Sequence, residues 1–137
     1  MANTLFTPYK ESLLSLNPSV DLDTDTIKVA MVTAGYTLNA AHQFYSDITP
    51  GSNVVGTPQT LGSKTVTGGV FDAADATFTA VTGSQVVALV LYKDTGVNST
   101  SPLIAYIDTG TGLPVTPNGG NITIAWDNGT NKIFKIG

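Results

Sequence analysis

Residues 84–93, Ser-Gln-Val-Val-Ala-Leu-Val-Leu-Tyr-Lys, constrain this chain more than any other segment, because both alternating sets of side chains are apolar. In an extended strand Val86, Ala88 and Val90 fall on one side, and Val87, Leu89 and Leu91 on the other. Such a strand has no face to leave in water, so it belongs in the middle of a sheet that is covered on both sides. Residues 77–81 precede it across Thr82-Gly83, a two-residue connection that suits a hairpin. Residues 26–33 alternate, with Ile27, Val29 and Met31 on one side and Lys28 and Ala30 on the other, the period of a half-buried strand. Residues 103–108 and 122–127 continue the series, with Ile122, Ile124 and Trp126 on one face. Asn128-Gly129 then turns the chain into residues 132–136. Short strands separated by Gly, Asn, Asp and Pro clusters, with no helical pattern between them, call for antiparallel pairing. The expected fold is mainly β, an antiparallel β-sandwich or jelly-roll-like barrel with a short N-terminal helix or arm. No internal repeat of solenoid or propeller period is visible.

At the start of the chain Thr7 precedes Pro8, and Leu13, Leu14 and Leu16 follow. This suits an N-cap, a proline at the first helical position and a helix of two or three turns ending near Asn17-Pro18. A helix this short is marginal alone and must lean on another surface. The expected organisation is an N-terminal arm over residues 1–20 and a single β-sandwich domain over residues 21–137. One helical turn is expected around residues 40–44, and residues 50–69, rich in Gly, Ser, Thr and Pro, read as a loop or weak edge strands.

A chain of 137 residues can bury one continuous core without metals or crosslinks. Its charged fraction is 12%, against about 25% in ordinary soluble domains, with a net charge of −4. Glu11 is the only Glu, all six basic residues are Lys, and there is no Arg. Binding to nucleic acid or an anionic membrane needs clustered cations, so neither is an expected partner. Without Cys, disulfides, thiolate zinc sites and cysteine catalysis are excluded. Residues 1–7 lack the basic region and apolar run of a signal peptide, and no stretch approaches the roughly 20 apolar residues of a membrane span. Synthesis in a cytosol is therefore expected. Sequons at Asn98, Asn121 and Asn128 arise readily in a chain rich in Asn and Thr and receive no role.

Asp-Thr-Gly occurs twice, at Asp94-Thr95-Gly96 and Asp108-Thr109-Gly110, each after an apolar strand. Aspartic proteases present their paired carboxylates in that setting. Here the copies are joined by a loop and one strand, whereas that arrangement takes one copy from each of two equivalent halves. Asp and Gly also end strands for conformational reasons alone. The turn reading is adopted, and a homodimeric protease using Asp108 is the catalytic alternative. Asp21, Asp23 and Asp25 alternate like the first ligands of a calcium loop, but Ile27-Lys28-Val29 follows where the turn glycine and terminal Glu are needed. Asp72 and Asp75 read as turn and cap residues. His42, the single histidine, lies near Ser46 and Asp47, without a Gly-x-Ser-x-Gly elbow. Gly110-Thr111-Gly112 runs into Leu113-Pro114 rather than a helix, so it is a loop and not a phosphate cradle. Trp126 alternates with Ile124 and Ile122 and is assigned to the core, a sugar-stacking role being the alternative. No catalytic residue, cofactor or metal ligand is expected.

The segments Met1-Ala-Asn-Thr-Leu-Phe-Thr-Pro-Tyr-Lys-Glu-Ser-Leu-Leu-Ser15, Asp21-Leu-Asp-Thr-Asp-Thr-Ile-Lys-Val-Ala30 and Leu103-Ile-Ala-Tyr-Ile-Asp-Thr-Gly-Thr-Gly-Leu-Pro-Val-Thr-Pro-Asn-Gly-Gly120 resemble small virion proteins of tailed bacteriophages, as does Ile122-Thr-Ile-Ala-Trp-Asp-Asn-Gly-Thr-Asn-Lys-Ile-Phe-Lys135. The resemblance covers nearly the whole chain and brings no catalytic motif with it. It implies a virion structural protein, with a decoration or cement protein on the outside of the capsid shell as the first expectation and a tail or neck component as the second. The implied partners are the phage major capsid protein and further copies of the chain itself. A receptor- or carbohydrate-binding module is a further alternative. The apolar arm residues Leu5, Phe6, Tyr9, Leu13, Leu14 and Leu16 are the candidate contacts between subunits.

Overall fold

The computed structural model describes residues 3–15, 20–109, 112–126 and 132–135. Strand β7 (Val86–Lys93) lies at the centre, as its two apolar faces require. It pairs antiparallel with β2 (Ile27–Thr33) on one side and β8 (Leu103–Ile107) on the other. The two-residue strand β1 (Thr4–Leu5) extends β8, and β3 (Val54–Thr60) extends β2, so the main sheet runs β1-β8-β7-β2-β3. Two smaller antiparallel sheets complete the body. One holds β4 (Thr65–Thr67), β5 (Val70–Asp72) and β10 (Phe134–Lys135) in the order β10-β5-β4; the other pairs β6 (Ala76–Phe78) with β9 (Ile122–Ile124). The architecture is mainly β and sandwich-like with a short N-terminal helix, as the alternating segments foretell.

Register decides which side chains share a face. Val29, Leu91 and Ala105 stand in line, as do Met31, Leu89 and Ile107; the opposite face carries Ala30, Val90 and Tyr106. That second face is roofed by the excursion between β2 and β3, where Tyr36 approaches Tyr106 with centroids 6.2 Å apart and Tyr45 stacks on Tyr92 at 3.9 Å. Strand β2 is consequently buried on both faces, not one: Ala30 and Val32 lie under this roof. Polar residues in the excursion concealed the burial, because Tyr36, Tyr45 and Ile48 supply its apolar underside.

Several local expectations are corrected. Thr82-Gly83 does not close a hairpin, since β6 pairs with β9 and both flanks of β7 are taken by longer apolar strands. Ala80 adopts a left-handed φ of 49°, its N–H donates to Asn121 Oδ1, and Val81 N donates to Gly120 O, so the chain continues along the partner of β6. Likewise β10 pairs with β5 rather than folding back on β9, while the Asn128-Gly129 turn and the Gly110-Thr111 part of the glycine loop lie outside the described residues. The helical turn expected at residues 40–44 forms at Tyr45–Ile48 as a 3₁₀ turn, because the Asp47 carboxylate caps it from within. Residues 50–69 add an unexpected short helix, α2 (Pro50–Asn53), and do supply the expected edge strands, β4 and the seven-residue β3. Gly56, at φ 72°, and Pro58 interrupt that edge and blunt it against further pairing. Among the described residues no helix is long and apolar enough to cross a membrane.

Candidate functional site

The first helix, α1 (Thr7–Leu14), has Pro8 in its first turn as the sequence indicates, but its N-cap is Phe6, and no side chain caps it. The segment before it is woven into the main sheet. Thr4 and Leu5 pair with Tyr106 and Ala105, Phe6 N donates to Ile104 O at 3.0 Å, and Thr7 N donates to Ala40 O at 2.7 Å. Asn3 fastens the end: its Oδ1 accepts the N–H groups of Asp108 at 2.9 Å and Thr109 at 3.3 Å, and its Nδ2 donates to Thr109 Oγ1 at 2.8 Å. Phe6 is fully buried, and Tyr9 sits edge-on to Phe134, which in turn tilts against Phe71. Burial pushes the Tyr9 phenol up to about 12.

The six candidate arm residues therefore divide. Leu5, Phe6 and Tyr9 pack against this chain's own core. Leu13 and Leu14 face outward, Leu14 with 90% of its surface exposed, and Leu16 lies outside the described residues. The helix buries only Tyr9 and so cannot be held by its own amphipathicity; the strand before it and the Tyr9–Phe134 contact hold it in place. Beside its outer face opens a groove of about 450 Å³ lined by Tyr9, Leu13, Val20, Leu22 and Val66, with Asp21 and Asp23 among its walls. Val66, at the middle of the exposed strand β4, is itself 48% exposed. Leu13 and Val66 thus bring exposed apolar surface to one place from distant parts of the chain. Val20, Leu22 and Val66 escape sequence reasoning because each sits singly among polar neighbours, with no periodicity to mark it.

The acidic turn beside the groove is laced by its own members. Asp21 N donates to Asp25 Oδ2, Asp25 N returns a bond to Asp21 O, both at 2.8 Å, and Lys93 Nζ lies 3.1 Å from Asp25 Oδ2. Lys64 Nζ donates to the Asp25 carbonyl. Asp21 and Asp23 share a hydrogen bond that lowers the first carboxyl and raises the second. Among the described residues no three His, Asp or Glu side chains converge as a metal site would need.

The two Asp-Thr-Gly copies stand at opposite ends of an antiparallel pair. Leu89 lies opposite Ile107, Asp94 is five residues beyond Leu89, and Asp108 lies one residue the other way, which separates the two residues by roughly 20 Å along the strands. No dyad forms within the chain. The first copy organises a loop, with Asp94 Oδ1 accepting Gly96 N at 2.9 Å and Asp94 Oδ2 pairing with Lys28 at 2.9 Å, while in the second the backbone N–H groups of Asp108 and Thr109 donate to Asn3. The Asp94 carboxyl is held below the usual range by Lys28 and then by Gly96 N. His42 shares a 2.9 Å hydrogen bond with Tyr36 Oη through Nδ1, and Asp47 is occupied with the N–H groups of Gln43 and Phe44, so the histidine, Ser46 and Asp47 are not aligned as a triad. Trp126 is buried, with Nε1 donating to Ala74 O and its backbone N–H to Asp75 Oδ1, which suits the core and leaves no face for a sugar. Asp75 is thus a cross-link between segments and not only a turn residue.

No protein-family model matches this chain, and no curated protein matches it. The geometry of the surface is therefore what distinguishes one functional reading from another.

Proposed function

We propose that this chain is a structural protein of a tailed-bacteriophage particle, made in the host cytoplasm, which decorates the outside of the capsid shell and stabilises it by binding the major capsid protein. The observation that carries the reading is the outward-facing apolar surface of Leu13 and Val66 at the groove, with Leu14 next to Leu13, on a body where, among the described residues, Val97 is the one other large apolar side chain left exposed. Exposed apolar surface gathered from separate elements is the mark of a contact site. Two further features support the reading. The segments that resemble phage virion proteins include the strand–helix arm that builds this surface. The acidic, Arg-free composition suits an outer surface that should not capture nucleic acid. Many copies of a clip, each burying a modest area, stabilise a shell through avidity.

The test adds purified protein to particles lacking it, then maps it by electron microscopy and measures resistance of the shell to heat. Density at regular shell positions, with a rise in the temperature of DNA release, is the expected result. Protein found only in tails or necks would overturn the capsid assignment, and hydrolysis of peptides abolished by Asp108→Asn would overturn the structural role.

A further inference from the structure

We infer that the groove beside α1 receives an apolar side chain carried on a segment flanked by lysine or arginine, contributed by a protein other than a second copy of this chain. The inference deepens the decoration reading and rests on it only for naming the major capsid protein as the source of that segment. The groove has an apolar lining of Tyr9, Leu13, Val20, Leu22 and Val66 and two carboxylates, Asp21 and Asp23. An apolar anchor removes the lining from water, and Leu14, next to Leu13 and almost fully exposed, enlarges the surface such an anchor can cover. Asp21 and Asp23 both line the groove, so their negative charges repel each other there. A cation entering between them relieves that repulsion, which an uncharged or acidic partner cannot do.

A second copy is a poor source of that cation. The chain has a net charge of −4 and no Arg. Three of its six lysines are engaged within the chain, Lys28 with Asp94, Lys93 with Asp25 and Lys64 with the Asp25 carbonyl, so a self-contact would have to draw its cation from the remainder, of which Lys10 is exposed on α1. Self-association through this face would also bring two acidic turns together. Free pairing by β4 offers little more, since the strand has three residues and a two-residue loop directs the backbone groups of both end pairs toward β5.

The experiment uses the full-length protein and a labelled short peptide of alternating leucine and lysine, with glutamate-for-lysine and serine-for-leucine versions as probes, read by fluorescence anisotropy. Binding of the leucine–lysine peptide alone is expected. It should disappear in the double variant Leu13→Ser, Val66→Ser and weaken about tenfold in Asp21→Asn, Asp23→Asn. All four positions are at least partly exposed, so circular dichroism should show unchanged folds. Equal binding of the glutamate peptide, or full binding by both double variants, would overturn the inference. So would a concentration-dependent dimer in sedimentation that Leu14→Ser abolishes, because the occupant would then be a second copy. Binding of particles separates this inference from the reading beneath it. Shells decorated undiminished by both double variants would sink the groove and leave decoration standing. Selective peptide binding by a protein that never binds shells would sink decoration and leave the groove.

Discussion

Replacing Phe6 by alanine tests whether the N-terminal arm belongs energetically to its own chain. The ring, at the junction of β1 and α1, is fully buried in the chain's hydrophobic core, and the backbone at this residue bonds to Ile104. Removing a buried phenylalanine costs its transfer free energy and leaves a cavity, together about 3–5 kcal/mol. A domain of this size has about 5–15 kcal/mol of stability, so the loss is a large fraction of the whole. With an unfolding entropy near 2.1 cal/mol/K per residue, 137 residues give about 0.29 kcal/mol/K, and Tm should fall by about 10–17 °C. Leu14→Ala, on the same arm but exposed, should stay within about 0.5 kcal/mol of the wild type. Urea and thermal unfolding followed by circular dichroism at two protein concentrations a hundredfold apart would measure both. The reasoning is refuted if Phe6→Ala costs less than about 1 kcal/mol, or if its deficit disappears at the higher concentration, since a neighbour and not the same chain would then be covering the ring.

Three further outcomes follow from named contacts. Asn3→Ala should cost about 1–2 kcal/mol and speed hydrogen exchange at the amides of Asp108 and Thr109, which lose their shared acceptor; unchanged exchange would refute the clamp. On titration with base, Tyr9 and Tyr45 should ionise near pH 12 rather than 10, because burial raises both phenols. An unfolded chain loses these protons earlier, so stability should be full below pH 10 and fall as pH rises toward 12; an ultraviolet titration with all five tyrosines ionising together at 10 in the folded protein would contradict this. At the acid end, the N–H groups of Phe44 and Gln43 hold the Asp47 carboxyl below its usual range, so its stabilisation is present above the unfolded value and lost as pH falls through the folded one. Asp47→Ala should therefore flatten the acid limb of the stability curve, and two curves that stay parallel below pH 4 would count against the cap.

What could be known of the contact surface before folding was one-sided. The apolar arm residues were legible as too hydrophobic for a free tail, but their division into buried Leu5, Phe6 and Tyr9 and outward Leu13 and Leu14 was not, since it depends on where β8 runs. Val66 and Leu22 could not be singled out at all, because a lone apolar residue among Thr, Gly and Asp has no period and gains meaning only from its neighbours in space.

By itself the sequence determined the elements whose side-chain pattern leaves no alternative. A segment apolar on both faces must be central, Ile27, Val29 and Met31 must face a core, and Pro8 begins a short helix, because these follow from local geometry and the cost of wetting apolar surface. Tertiary structure alone decided the pairing. Thr82-Gly83 looked like a hairpin and is not one, since a turn's local preference is worth less than the burial gained when β7 takes β2 and β8 as neighbours. The same competition buried the second face of β2 beneath Tyr36 and Tyr45, fastened Asn3 to Asp108 across the length of the chain, and left Leu13 and Val66 side by side in the open. Contacts between residues so far apart in sequence have no local signature, because the free energy that selects them is the burial of the whole core.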